Sequence, residues 1–449
     1  MIRWGVLGIV SSKTPATEPI DVLVTDGNTR AALAVVRSLA RRGIRFLVLG
    51  PDAESPAFYS RSVGKVLVSP SPAKQPEAFI QFVLEVIRKY EIKLAIPVTD
   101  QALVLFDQHR AQLEKHTRLA MASATALRGA LDKRRSLEVA RELGVPCPDE
   151  FVLKDNSQIP ELIARLGFPV VLKRPGDPLD GSVPAFDFRV LYANDEKELR
   201  QMIERHCRPG HYPIFQERAS GEVHNLCCFA AAGDVVAVHE YQSIRRLDGA
   251  GVLRRIVEPI PELEGYTRAL LQALRWDGVA HVAFFVDRER RKVWFMEING
   301  RFWASTEGSV HAGWDFPAWT CDYFLHGKVP TPAPLQVGSM TCWHTGDVQA
   351  LFNYLRGGET PTTGTTPSHA TAILECMSDF RPGIHSDVFR WSDPMPALAE
   401  LWRMRDQVLG FMRKRMGRAG AARALAAWYP GRANSSARAG ASPPTPIHI

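Results

Sequence analysis

Trp294 to Trp303 reads WFMEINGRFW, and the fold of the chain turns on how that stretch is read. Its apolar residues suit a strand, yet Glu297, Asn299 and Arg301 recur at every second position. Alternate side chains of a strand share a face, so a carboxylate, an amide and a guanidinium are expected to point the same way. A competing reading takes Asn299-Gly300 as the centre of a hairpin turn, since that dipeptide tolerates the positive φ of a type I′ turn. The residues around it have to choose.

Immediately upstream, HVAFFVD and KVWFMEI read as two strands joined by the charged turn Asp287 to Lys292. Before them come a strand PIFQERASG running into a turn, strands near 223–232 and 235–242, and a helix near 262–275. Earlier still, LDKRRSLEVARELGVPCP reads as a basic amphipathic helix stopped by Gly144 and Pro146. FPVVLKRP is a short buried strand, PGDPLDGSVPAF a Gly/Pro-rich loop, and 194–206 a polar helix. This is antiparallel sheet with helices, an α+β pattern.

The first part of the chain has a different texture. DVLVTDG, the helical spacing of Ala31 to Arg42, and IRFLVLG form a βαβ unit, followed by a helix near Glu77 to Lys89, the strand LAIPVTD and a helix from Gln101 to Leu113. Open parallel sheets place ligands beyond the carboxyl ends of their strands, where Asp26, Gly27, Asn28, Thr99 and Asp100 lie. DGNTRAA lacks the G-x-G-x-x-G spacing of a dinucleotide site. Past 331 the sequence is less regular, with one amphipathic helix carrying Leu398, Leu401, Trp402, Val408, Leu409 and Met412.

The whole chain has 449 residues, 45% hydrophobic and 23% charged. That is the composition of a soluble protein of several domains, with no apolar run near the roughly 18–20 residues that span a bilayer. No signal peptide is read at the N-terminus. Seven cysteines, odd in number and without a C-x-x-C pair, indicate neither a disulfide framework nor a zinc site, and a cytoplasmic location is expected. The net charge of +7 resides in Arg413, Lys414, Arg415, Arg418, Arg423, Arg432 and Arg438, beyond the last acid. The body is therefore close to neutral, which argues against nucleic-acid binding. The basic tail has the charge to touch an anionic membrane surface weakly, and is otherwise read as solvated.

Taken in order, the polar pieces are Lys133, Lys173 with its Gly-rich loop, Gln216-Glu217, Glu222, and Glu297-x-Asn299-x-Arg301. Magnesium takes oxygen ligands, commonly one or two carboxylates plus substrate phosphates. Glu297 and the Asn299 carbonyl offer two oxygens on one face. Arg301 has the planar fork that grips phosphate, and two lysines from separate elements would neutralise the rest. The face in WFMEINGRFW is thus expected to hold a magnesium–nucleotide phosphate tail.

At this point the chain resembles the ATP-grasp superfamily, and within it the carbamoyl-phosphate-synthase-like carboxylate–amine ligases. The resemblance runs from about 21 to 330 through DGNTRAALAVVRSLARRG, LDKRRSLEVARELGVPCP, FPVVLKRP, PIFQERASGEVH, WDGVAHVAFFVD and FMEINGRFWAS. It implies an α/β pre-ATP-grasp domain (21–125), then an α+β ATP-grasp fold (126–330) with nucleotide between two antiparallel sheets. Around these lie an N-terminal extension (1–20), an accessory region (331–412) that closes the pocket or mediates homodimer formation, and a basic, disordered tail (413–449). It also implies ATP and Mg2+, with Mn2+ as a substitute. Lys133 and Lys173 would contact phosphates. Gln216, Glu217, Arg218 and Ala219 would line adenine, and Glu222, or His224 beside it, would bind ribose. Glu297 and Asn299 would hold metal, and Arg301 would steady the reacting phosphate. The implied activity joins a small-molecule carboxylate to an amine through an acyl phosphate.

One departure stands out. The family usually has an acidic residue where this chain has Ala283. If the hairpin turn centres near 290, Ala283 lies opposite Glu297, where a carboxylate would be a second metal ligand; Asp287 is roughly 13 Å further along at the usual strand rise. Asn-Gly also replaces the family's Asn-Pro. Two alternatives follow: a nucleotide-binding pseudoenzyme with an impaired metal site, and a biotin-carboxylase-like carboxylase.

Overall fold

The computed structural model describes residues 20–173, 188, 190–208, 210–247, 250–358, 362 and 366–404. The Gly/Pro-rich loop, the basic tail and nearly all of the N-terminal extension lie outside these. The chain divides into two compact units, Met1–Ala397 and Leu398–Ile449. Of the second, residues 398–404 are described and are helical.

The first unit is built on three sheets. The N-terminal one is wholly parallel, with strands β1 (Val22–Val24), β2 (Phe46–Gly50), β3 (Lys65–Val68), β4 (Leu94–Ile96) and β5 (Arg118–Leu119) in the order β3-β2-β1-β4-β5. Strand alternation sends its side chains to two cores. Leu23, Leu47 and Ala95 meet Phe79, Ile80 and Phe106 from the helices Pro76–Tyr90 and Asp100–Gln108, while Val22, Val24 and Val48 meet Leu33, Val36 and Leu39 from the helix Arg30–Arg41. A parallel sheet covered on both faces is what continuous apolar strands require. The order reverses between β1 and β4. There Asp26, at a φ of 59°, accepts bonds from Val98 N (3.3 Å) and Thr99 N (3.1 Å), tying the two strand ends together. Gly27 follows because a Cβ there would sit 3.1 Å from Leu49 O and 3.0 Å from a Val48 methyl.

A four-stranded antiparallel sheet comes next: β6 (Glu150–Val152), β7 (Val170–Lys173), β8 (Val190–Ala193) and β9 (Ile214–Glu217), in the order β6-β9-β7-β8. One face, with Phe151, Val170, Leu172 and Phe215, packs on the helices Ile159–Leu166 and Glu196–His206. The third sheet holds β10 (Glu222–Ala231), β11 (Asp234–Leu247), β12 (Ala250–Val257), β13 (Gly278–Asp287), β14 (Lys292–Asn299), β15 (Met340–Cys342) and β16 (Ile384–Ser386), in the order β14-β13-β10-β11-β12-β15-β16. It is antiparallel except for β15 and β16. Since β15 pairs with β12, the sheet continues past residue 330.

The strand reading of WFMEINGRFW holds as far as Asn299, and the hairpin turn lies at 288–291. Gly300 does not adopt a positive φ. Glycine is needed there for room: a Cβ would meet Leu127 at 2.9 Å and the Trp276 ring at 3.0 Å. Arg301 therefore lies beyond the strand.

Candidate functional site

The register of the large sheet decides which side chains can meet. Ala283 pairs with Glu297 and with Asn225, and Asn225 pairs with Tyr241. His281 pairs with Asn299. Directly paired residues project to the same face, so Glu297, Asn299, His281, Ala283, Asn225 and Tyr241 form one surface. The opposite face carries Leu226, Ala280, Val282, Phe284 and Ile298 and is buried in the core. A bulge at Met296 restores the alternation, so Phe285 pairs with Trp294 on the same side as Ala283.

Asn299 is the hinge of this surface. Its Nδ2 donates to Glu297 Oε1 at 3.0 Å and contacts His281 Nδ1 at 3.4 Å. With the amide hydrogens so directed, the carbonyl oxygen is left for another partner. His281 is buried, lies roughly parallel to Trp303 and Tyr241, and meets the Tyr241 hydroxyl at 3.3 Å through Nε2. Burial, with help from Arg301 and His239, pushes its pKa down to about 3, so it is neutral. The hydrogen-bond pattern then assigns the Nε2–H tautomer, with Nδ1 accepting from Asn299. His281 thus braces the amide and carries no charge of its own.

The four-stranded sheet presents a matching surface. Glu150 pairs with Gln216, and Gln216 with Val171. Lys173 lies two residues along β7 on the same side, opposite to the Phe215 core. Gln216 Nε2 donates to Glu150 Oε1 at 3.0 Å. Burial first, then Lys133, bring the Lys173 ammonium down to about 8, against the opposing pull of Glu150 and Glu297. Those interactions bring Lys173, Lys133 and Glu297, from three separate elements, into one electrostatic neighbourhood. Lys173 makes no ion pair among the described residues. Lys133 is exposed at the first position of the helix Lys133–Glu142, whose cap Asp132 accepts from Arg134 N and Arg135 N at 2.9 and 3.1 Å. A helix N-terminus adds positive potential beside the lysine.

Between the two surfaces runs the segment 216–221. Glu217 accepts from Asp149 N (3.3 Å) and Trp294 Nε1 (3.4 Å) and pairs with Lys292 (3.2 Å), so it fastens one sheet to the other. Ser220 donates to Asp287 at 2.7 Å, which helps hold that carboxyl below its usual range, after the larger effect of Arg290 N. Asp287 is thereby committed to the hairpin turn. Arg218 is exposed over the Tyr192 ring and Ala219 is half-buried. Phe285, Val223 and Trp294, none of them singled out from sequence, form the apolar surface next to this segment. The signal was present: each shares strand parity with Ala283 or Glu297 once the bulge is counted.

Four residues stand differently from expectation. His224 faces the core side with Phe284, its Nδ1 2.5 Å from Glu240, which takes it off the face that carries Glu297 and Asn299. Glu222 shares that strand parity, but at the open start of β10 its carboxylate stays partly exposed, 3.9 Å from His224 Nε2. Arg301 closes its fork on Asp100, at 3.0 and 2.9 Å, so the guanidinium bridges to the parallel sheet at its switch point. A phosphate would have to share or displace that carboxylate. Arg254, which beside Arg255 and after a glycine-rich piece reads from the sequence as part of a solvated loop, is buried in β12 and holds Asp387 at 2.6 and 2.5 Å; Arg30 reaches the same carboxylate at 2.7 Å.

The donor chemistry at Glu297 and Asn299 suits magnesium: a carboxylate and an amide oxygen, both hard, beside two lysines able to hold phosphates. A second group, Cys342, Asp347 and Asp379, brings three potential ligand atoms together. Arg245 lies among them, with Asp347 at 2.8 and 2.9 Å and Asp379 in contact, so that cluster is an ion-pair network. Among the described residues no helix is long and apolar enough to cross a membrane.

No protein-family model matches the chain, and no curated protein does. Solved structures do. A biotin carboxylase from Campylobacter jejuni, in a complex with β,γ-ATP, matches with a TM-score of 0.57 at 15% identity, over 72% of this chain and 74% of that one. A phosphoribosylglycinamide synthetase from Anaerococcus prevotii matches with 0.55 at 15%, over 72% and 80%. The biotin carboxylase domain dimer of the 2-oxoglutarate carboxylase from Hydrogenobacter thermophilus, with MgADP, ADP and bicarbonate, matches with 0.56 at 14%, over 72% and 74%. At such identities the likeness establishes the fold, and it is the ATP-grasp fold.

Proposed function

We propose that this chain, with its ATP-grasp fold, is an ATP-dependent ligase that joins a carboxylate to an amine. The observation that carries the reading is Lys173: a half-buried ammonium without an ion pair among the described residues, next to Lys133 and across from the Glu297–Asn299 pair. Two converging cations opposed to an oxygen-rich face are what a metal-bound triphosphate needs on its two sides.

In this reading Lys133 and Lys173 hold the phosphates. Main-chain groups of 216–219 meet the base, with Phe285, Val223 and Trp294 as its apolar bed, and Glu222 takes the ribose. Glu297 and the Asn299 carbonyl would hold Mg2+, which when bound would supply charge neutralisation at the phosphates. A substrate carboxylate oxygen attacks that phosphorus and ADP leaves, giving an acyl phosphate. The amine nitrogen then attacks the acyl carbon, phosphate leaves, the nitrogen gives up a proton, and an amide results. The chain's contribution is positioning and charge balance. Biotin-carboxylase-like neighbours motivate one further assay arm, with bicarbonate and biotin.

A second reading, a nucleotide-binding pseudoenzyme, draws on Ala283 opposite Glu297 and on Arg301 paired with Asp100. Measuring ATP binding and ADP release against pooled carboxylic and amino acids separates the two. The ligase reading expects acid- and amine-dependent ADP release in wild type, lost in Lys173→Ala. ATP binding without turnover in every pool favours the pseudoenzyme, and no ATP binding rejects both.

A further inference from the structure

We propose that Asn225 is a metal ligand in this chain, its carbonyl oxygen standing in for the carboxylate that Ala283 lacks. The inference rests on the nucleotide–metal site of the ligase reading and says how that site is completed.

The register puts Glu297, Ala283 and Asn225 in one row across β14, β13 and β10, all on the same face. Ala283 contributes only a methyl group to this face, between the longer side chains of its two neighbours. Adjacent strands lie about 4.8 Å apart, which separates the outer two by about 9.6 Å at Cα; two magnesium–oxygen bonds of about 2.1 Å each span a good part of that, and a Glu and an Asn side chain the rest. A single cation above Ala283 is within reach of both. A carboxylate at 283 would fill that same space, so the small residue and the distant amide are complementary.

Asn225 carries the second observation. The residue is 7% exposed, no hydrogen bond involves its side chain among the described residues, and its amide atoms are not sealed from solvent, so they are available to a ligand. On this face its neighbours are Ala283, Val223, Cys227 and Tyr241, whose hydroxyl oxygen accepts from His281 Nε2. An amide oxygen is a hard donor suited to Mg2+. With Asn299 held by His281 and Glu297, the donor set becomes one carboxylate and two amide oxygens, with phosphate oxygens and water to complete it. That set carries less negative charge than a two-carboxylate site, so the bound cation should depend more strongly on the nucleotide.

The test is Mn2+ binding, followed by electron paramagnetic resonance with saturating ADP, on wild type, Asn225→Val, Asn225→Asp and the double variant Asn225→Val/Ala283→Glu. ADP binding in EDTA and thermal melting are measured alongside. We expect Asn225→Val to weaken Mn2+ about tenfold or more, in line with lost metal-site contacts, Asn225→Asp to tighten it, and Glu at 283 to restore it in the double variant. Should Asn225→Val fail to fold, the gain in Asn225→Asp and the behaviour of the double variant decide. Mn2+ affinity within twofold of wild type in both Asn225→Val and Asn225→Asp, with ADP still bound, overturns the proposal alone. Wild type that does not bind ADP overturns the ligase reading and this inference with it.

Discussion

At Lys173, burial and the neighbouring Lys133 keep the folded ammonium near 8, well below its usual value. Polyphosphate bound there would favour the charged form and raise that value. The sign follows: above pH 8 much of the free protein has lost the proton, so ATP binding takes one up, and affinity falls as pH rises through 8 and beyond. Calorimetry at pH 8.5 in two buffers of different ionisation enthalpy should report net proton uptake, near zero at pH 6.5 and abolished in Lys173→Met. Uptake unchanged by that substitution would place the titrating group elsewhere. This lysine was legible in the sequence as a cation ending a buried strand, and so were Glu297 and Asn299 through their spacing. Asn225 was not, because its importance comes from pairing with residue 283, far along the chain. Arg301 was half-legible: its chemistry showed, but its partner Asp100 lies some two hundred residues earlier.

At the level of elements, period-two patterning sufficed for the hairpin β13–β14, and centring its turn near 290 gave the Ala283–Glu297 pairing that the register bears out. The short strands β3, β5, β15 and β16 carry too few residues for a periodic signal, and they owe their state to the sheets that accept them. Arg254 shows why composition misled. Two adjacent arginines after a glycine-rich piece look solvated, yet Arg254 is sealed in β12 by Asp387, a residue 133 positions away. Asp387 also receives Arg30 from the first turn of the helix Arg30–Arg41, so one carboxylate fixes the parallel sheet's helix to the large sheet. Removing one member of a buried ionic group leaves charges uncompensated, at a cost of about 3–5 kcal/mol. Asp387→Ala is therefore expected to lower the urea midpoint by that amount in stability, and Arg30→Ala, which leaves the Arg254 pair intact, by less. Equal and small losses in both would show that the carboxylate is not the tie.

On the scale of the whole molecule, the first unit gathers its polar chemistry where three sheets meet. The parallel sheet offers its switch point, with Asp26 joining β1 to β4 and Asp100 reaching Arg301. The four-stranded sheet offers Lys173 and Gln216, and the large sheet offers Glu297, Asn299 and Asn225. The order of these pieces along the chain made the fold readable, since their succession resembles that of an ATP-grasp chain. Their three-dimensional meeting could be inferred only by likeness, because no local pattern encodes which face of one sheet turns toward another. The claim that Lys133, Lys173, Glu297 and Asn299 surround one triphosphate is tested most directly by a crystal structure with a non-hydrolysable ATP analogue and Mn2+, read from the anomalous signal. The account predicts a manganese peak at a bonding distance of about 2.1–2.2 Å, close to that of magnesium, from the Glu297 carboxylate and the Asn299 carbonyl, with both lysines on the phosphates. A nucleotide bound away from these four side chains, or a manganese peak without them, would contradict it.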